Sequence, residues 1–129
     1  MEDNEELSYS SEAYAAELWE RLKWHLPPKI DGRRAAGLHD LLYFYKYASG
    51  HGFEMQQDAR IQHGTAFSYY TLIIFLNDDY GGGLTKFRSG ESIEPQKGSA
   101  LFFEQGLDYE AEVVTEGIKY VMRADIMYQ

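Results

Sequence analysis

The chain has 129 residues, and 12 Lys and Arg against 21 Asp and Glu give it a net charge of −9. That length bounds it to one domain, and that charge argues against nucleic acid or an anionic membrane surface as the main partner, because both are polyanions. The absence of cysteine excludes a disulfide framework, a thiolate zinc site, an iron–sulfur cluster and a Cys nucleophile.

Residues 1–10, MEDNEELSYS, are acidic and polar, unlike a secretory leader, and read as a flexible tail ahead of a single domain over 11–129. No apolar run reaches the ~18 residues of a membrane-spanning helix, so the expected setting is cytoplasmic. Ser10 or Ser11 can cap a helix over about 12–25, in which Tyr14, Leu18 and Leu22 form one apolar stripe. Pro27-Pro28 ends it, and KIDGRRAAGLHD over 29–40 reads as a loop.

From residue 41 the texture is β. LLYFYKY (41–47), FEMQQD (53–58), YYTLIIFL (69–76), LTKF (84–87), SALFF (99–103), YEAEVV (109–114) and KYVMRADIMY (119–128) read as strands separated by Gly, Pro, Asn or Asp. Short strands at this spacing predict an all-β sandwich or barrel with one helix against it.

Strand parity raises a question about several polar rows. Tyr43, Tyr45 and Tyr47 share one face of their strand; so do Glu54, Gln56 and Asp58; so do Lys119, Val121, Arg123 and Asp125. Each row is a solvent face or part of a polar barrel interior. An interior Lys or Arg requires an anionic partner, since an unpaired buried charge is very costly. The four histidines (25, 39, 51 and 63) show no HxH or HxxxH spacing. Gly81-Gly82-Gly83 lacks the Lys-Ser/Thr of a phosphate loop and reads as a turn.

Four runs together (LYFYKYASGHGFEMQQDA, SYYTLIIFLNDDYGGGLTKF, IEPQKGSALFF and GIKYVMRADIMY) resemble the prolyl 4-hydroxylase-like group of 2-oxoglutarate/Fe(II)-dependent dioxygenases. The resemblance covers about Gly37 to Tyr128. It implies a mainly β fold, a double-stranded β-helix or jelly roll, with the N-terminal helix buttressing one sheet. In that family an HxD pair and a distal His form a facial triad on iron.

Here Gln56 stands at the first His position, Asp58 keeps the acid, and Tyr109 stands at the second His position. Lys119, ten residues on, matches the basic residue that grips the far carboxylate of 2-oxoglutarate. Tyr47 matches a tyrosine lining that pocket, and Arg123 shares the strand face of Lys119. Glu54, Asp108 and Glu110 occupy no matched ligand position. Gln is a poor ligand beside imidazole, and a phenol with a reference pKa near ~10 is a weak Fe(II) ligand at neutral pH.

The resemblance therefore implies a degenerate dioxygenase-like domain without the iron triad. On this reading it binds a small carboxylate, a peptide or a protein, and uses no cofactor. Two alternatives stand beside it. One is a metal-independent cyclase, isomerase or lyase using Asp58, Tyr109 and Lys119 as acid–base groups. The other is an active hydroxylase using Fe(II) and 2-oxoglutarate with unusual ligands. Substrate choice would lie in the loops 48–52, 59–67 and 88–98.

Overall fold

The computed structural model describes residues 4–129. Its elements in chain order are β1 (Glu5–Ser10), α1 (Glu12–Leu22), a 3₁₀ turn (Lys23–His25), β2 (Lys29–Ile30), β3 (Arg33–Leu38), β4 (Leu41–Tyr47), β5 (Phe53–Gln56), β6 (Gln62–His63) and β7 (Ala66–Phe75). There follow β8 (Gly81–Gly82), β9 (Thr85–Phe87), β10 (Ser92–Ile93), β11 (Ala100–Glu104), β12 (Tyr109–Ala111), β13 (Val114–Glu116) and β14 (Lys119–Tyr128). Among the described residues no helix is long and apolar enough to cross a membrane.

β14 organises the larger sheet. One of its edges pairs with β7, from Val121 opposite Phe75 to Tyr128 opposite Phe67. Its other edge takes β4 over Lys119–Arg123 and β3 over Ile126–Tyr128. β3 and β4 thus run as one line along β14, interrupted at His39-Asp40. The His39 amide reaches the Asp125 carbonyl at 2.9 Å, and the Asp40 carbonyl accepts from the Ser11 amide at 2.9 Å, which ties the helix start to the interruption. β11 extends the sheet beyond β7. The smaller sheet runs β10-β9-β12-β5, and β8 and β13 form a separate ribbon.

Alternation along the strands makes two cores. Tyr45, Tyr47, Ile73, Phe75, Phe103 and Val121 face inward and meet Phe53, Tyr109 and Ala111 of the smaller sheet. Leu42, Leu72, Met122, Ala124 and Ile126 point the other way, where Leu18, Trp19 and Leu22 of α1 cover them. Leu42, Leu72 and Ile126 are fully buried, each a contribution of roughly 1.5–3 kcal/mol. Ser11 caps α1, its hydroxyl accepting from the Tyr14 amide at 3.1 Å. The architecture is a jelly roll with one buttressing helix.

Gly81-Gly82, expected in a turn, pairs as β8 with β13, and two N-terminal segments also differ from the sequence expectation. Residues 5–10 are not a free tail: β1 pairs with β4 from Glu5 opposite Lys46 to Ser10 opposite Leu41, and the Glu5 and Lys46 side chains meet at 3.4 Å. All six residues are exposed, so no burial pattern marked the strand; the backbone ladder makes it. Residues 1–3 lie outside the described residues.

The supposed loop over 29–40 contains the β2–β3 hairpin. Lys29 faces Arg34 and Ile30 faces Arg33 across an Asp31-Gly32 turn with φ of 52° and 75°. Positive φ at both turn positions is what a two-residue hairpin of this twist requires, and Asp-Gly is a favoured pair for it.

Candidate functional site

The inward rows of β4, β7 and β14 bring a set of polar groups between the two sheets. β5 lies beside β12, with Gln56 opposite Tyr109. Asp58 lies just past the end of β5, its side chain 7% exposed. The Tyr109 hydroxyl donates to both carboxylate oxygens of Asp58, at 2.8 and 2.9 Å. The Thr71 hydroxyl of β7 donates to Asp58 Oδ2 at 2.7 Å. Arg123 Nε lies 3.6 Å from the same oxygen.

A second layer orients these donors. Gln105 Nε2 donates to Thr71 Oγ1 at 3.2 Å and to Asp125 Oδ1 at 2.7 Å. Gln105 Oε1 accepts from the Ser68 hydroxyl at 2.5 Å, and Ser68 Oγ accepts from the Ile61 amide at 2.8 Å. Each hydroxyl here accepts from one side and donates to the other, so the chain of hydrogen bonds runs one way, toward Asp58. Such chains polarise and strengthen their members.

Two carboxylates share one guanidinium, since Arg123 Nη2 also reaches Asp125 Oδ1 at 3.5 Å. Burial pushes the Asp125 carboxyl above its ordinary range, against the opposing pull of Arg123 and Gln105. Burial also raises the Tyr109 phenol, and the Asp58 charge adds to it, so Tyr109 remains a neutral donor. Burial disfavours the Arg123 charge, but Asp58 and Asp125 outweigh it and hold the guanidinium charged.

Lys119 enters the same interior from the start of β14 and is 3% exposed. Its ammonium donates to the Gly83 carbonyl at 2.8 Å and lies 5.0 Å from the centroid of the Tyr47 ring. Burial lowers its pKa to about 8, with Glu112 opposing. The interior cations have found different partners: Arg123 has two carboxylates, whereas Lys119 has a carbonyl and an aromatic face.

Rings fill the space around Tyr109. Its centroid lies 4.8 Å from that of Phe103, 5.4 Å from Phe53 and 6.1 Å from Phe87. Tyr47 and Tyr109 are each 3% exposed. The other acids near the matched positions go elsewhere: Asp108 takes Arg88 at 2.6 Å and Gln57 at 2.9 Å on the surface, and Glu54 is exposed. Among the described residues there is no group of three or more His, Cys, Asp or Glu side chains placed to hold a metal ion.

The sequence reading passed over Thr71, Gln105 and Tyr80. Thr71 had a signal, being the polar residue of an otherwise apolar inward row with Ile73 and Phe75. Gln105 had none, because its partners lie 20 to 37 positions away. The Tyr80 hydroxyl is buried with no hydrogen-bond partner among the described residues, and burial raises it to about 12.

The fold is that of the prolyl hydroxylases among the 2-oxoglutarate/Fe(II) oxygenases. The viral collagen prolyl hydroxylase from Paramecium Bursaria Chlorella virus-1, solved with 2OG, superposes with a TM-score of 0.75 at 18% identity, over 98% of this chain and 79% of that one. A Pseudomonas putida prolyl-4-hydroxylase gives 0.74 at 15% identity, over 100% and 74%. A Trichoplax adhaerens prolyl hydroxylase, solved with a hypoxia inducible factor peptide fragment, gives 0.77 at 13% identity, over 98% and 63%.

The sequence itself places the chain more narrowly. A family model described as Poxvirus C4/C10 protein matches residues 4–129, and the chain belongs to that family. No curated protein matches it.

Proposed function

We propose that this chain is a prolyl-hydroxylase-like domain that works by binding a protein or peptide and does not carry out iron chemistry. The observation that carries this reading is the clamp on Asp58. A carboxylate has about four acceptor positions. Tyr109 and Thr71 direct donors to both oxygens of Asp58, with Arg123 beside it. An iron at that point would have to displace the Tyr109 proton and then rely on Gln56, a neutral amide. The residues present do not fit a facial-triad iron, which calls for two imidazoles and one carboxylate.

The remainder of the interior supports the same reading. Lys119, the matched anchor for 2-oxoglutarate, is turned to Gly83 and Tyr47. A carboxylate reaching it would have to enter an interior where Lys119 is 3% exposed and already donates to one carbonyl. Use of Asp58, Tyr109 and Lys119 as acid–base groups is less well supported, because the Tyr109 proton is held more tightly than in a free phenol. Binding then falls to the outer surface. The net charge of −9 weighs against nucleic acid and anionic membranes as the partner.

Metal content tests the proposal. The purified chain is loaded anaerobically with Fe(II) or Mn(II), desalted and assayed by elemental analysis. The expected result is no stoichiometric metal and no change in thermal midpoint. Near one metal ion per chain would overturn the reading.

A further inference from the structure

We infer that the groove between the end of α1 and the β2–β3 hairpin is a docking site for a short acidic peptide segment carrying an apolar anchor. The inference goes beyond the reading of the interior, because this groove lies on the helix-covered side of the larger sheet. It stands whether or not the interior holds a metal.

The groove encloses about 460 Å³ and is lined by Trp19, Lys23, Trp24, Leu26, Pro28, Arg34 and Ala35. Trp24 is 81% exposed at its rim, whereas Leu26 at its base is buried. A large aromatic left this far in water is the residue type that most often dominates a binding surface once covered. The groove is also braced. The Pro27 carbonyl accepts from the Tyr128 hydroxyl at 2.7 Å, and the Pro28 carbonyl accepts from the Ala35 amide at 2.9 Å. A braced site loses little conformational freedom on binding.

Charge selects the occupant. Residues 21–39 hold five of the 12 basic side chains and one of the 21 acids, a segment at +4 within a remainder at −13. Two of the five are locally satisfied on the helix: Arg21 pairs with Glu17 and Lys23 with Glu20. Arg33 turns away, its guanidinium over the Phe67 ring and donating to the Thr65 carbonyl.

Lys29 and Arg34 are left. They sit directly opposite each other across the hairpin, are exposed, and have no acidic partner among the described residues. Like charges in that position repel. An incoming carboxylate relieves the repulsion and gains charge-assisted hydrogen bonds. The apolar groove beside Arg34 then takes the anchor side chain. A long polyanion fits less well, because its flanks would run over the acidic remainder of the surface, whereas a short segment touches only the basic patch.

The test uses labelled short peptides of Glu, Asp and Ser carrying one central Leu, Phe or Tyr, titrated against the full chain by fluorescence anisotropy. At least one peptide should bind below about 1 mM, with affinity falling as salt is raised. Arg34→Ala and Trp24→Ala should each weaken it about tenfold, and Lys97→Ala, an exposed lysine elsewhere, should leave it unchanged. Circular dichroism checks that the variants fold. The proposal is overturned if no peptide binds below that limit, if Lys-substituted peptides bind equally, or if neither groove variant matters. It is also overturned if single-stranded DNA or phosphatidylserine–phosphatidylcholine vesicles bind at least as tightly, or if sedimentation shows that a second copy of this chain covers Trp24.

Discussion

The hydroxyl of Tyr109 sits astride the carboxylate of Asp58, 2.8 Å from one oxygen and 2.9 Å from the other. The two residues lie 51 positions apart in the chain and are brought together where β12 runs beside the end of β5. In this interior Asp58 is an acceptor for the protein's own donors, and the two hydroxyls that reach it, of Tyr109 and Thr71, are themselves on buried residues.

Tyr109→Phe removes one donor from Asp58 and keeps the ring. The variant should lose about 1–3 kcal/mol of stability, the cost of leaving a buried acceptor short of a partner. Chemical denaturation measures it. Asp58→Asn should cost less in the Tyr109→Phe background than in the parent chain, because the two groups share one interaction. Strict additivity would show that the contact contributes nothing.

Gln56→His together with Tyr109→His supplies two imidazoles next to Asp58 and removes the phenol that covers it. The double variant should take up Fe(II) or Mn(II) where the parent does not, seen as metal retained after desalting. Thr71 and Arg123 remain on Asp58 in that variant, so uptake should be weak. No uptake at all would indicate that the surroundings of Asp58 no longer admit a metal ion even with its usual ligands restored.

Lys119 gives an alkaline signature. Its pKa is lowered from 10.5 to about 8 by burial, so above pH 8 the folded chain releases a proton that the unfolded chain keeps up to 10.5. The unfolded state then binds more protons, and stability rises with pH. The rise should amount to something on the order of 2 kcal/mol between pH 8 and 10. Beyond pH 10 Tyr109 opposes it, since its raised phenol stays protonated while the unfolded one ionises. Lys119→Met should flatten the profile between pH 8 and 10; a parent whose stability does not rise there contradicts the assignment.

2-Oxoglutarate and succinate should bind equally poorly. Without a metal the keto acid has nothing to chelate, and Lys119 already has a carbonyl partner. Ligand-observed NMR without added metal compares the two acids directly. A strong preference for 2-oxoglutarate would mean that a metal is present and that the hydroxylase reading returns.

The strands that could be read from sequence are those whose burial is written into their residues. LLYFYKY and KYVMRADIMY match β4 and β14 end to end, because aromatic and β-branched side chains fill one or both faces. β1 was missed because exposed Glu, Ser and Leu carry no such pattern. The β2–β3 hairpin is signalled only by its Asp-Gly turn, since KI and RRAAGL show no clear apolar alternation. Parity placed Lys119, Arg123 and Asp125 on one face but left open whether that face met water. The neighbours decide it: Arg123 reaches Asp58 across the barrel, and Gln105 reaches Asp125 from the chain after β11. Such partners are set by three-dimensional closure, and local periodicity does not encode them.

The central place of β14 has a consequence for how the chain comes into being. β3, β4 and β7 are each made before the strand that joins them, and β14 spans residues 119–128. During synthesis the inward tyrosines of β4 and the apolar rows of β7 must wait uncovered on the emerging polypeptide. Non-local pairing of this kind is slow and leaves hydrophobic surface open to wrong contacts. The growing chain therefore stays vulnerable to aggregation until β14 leaves the ribosome, and a holding chaperone would matter most before then.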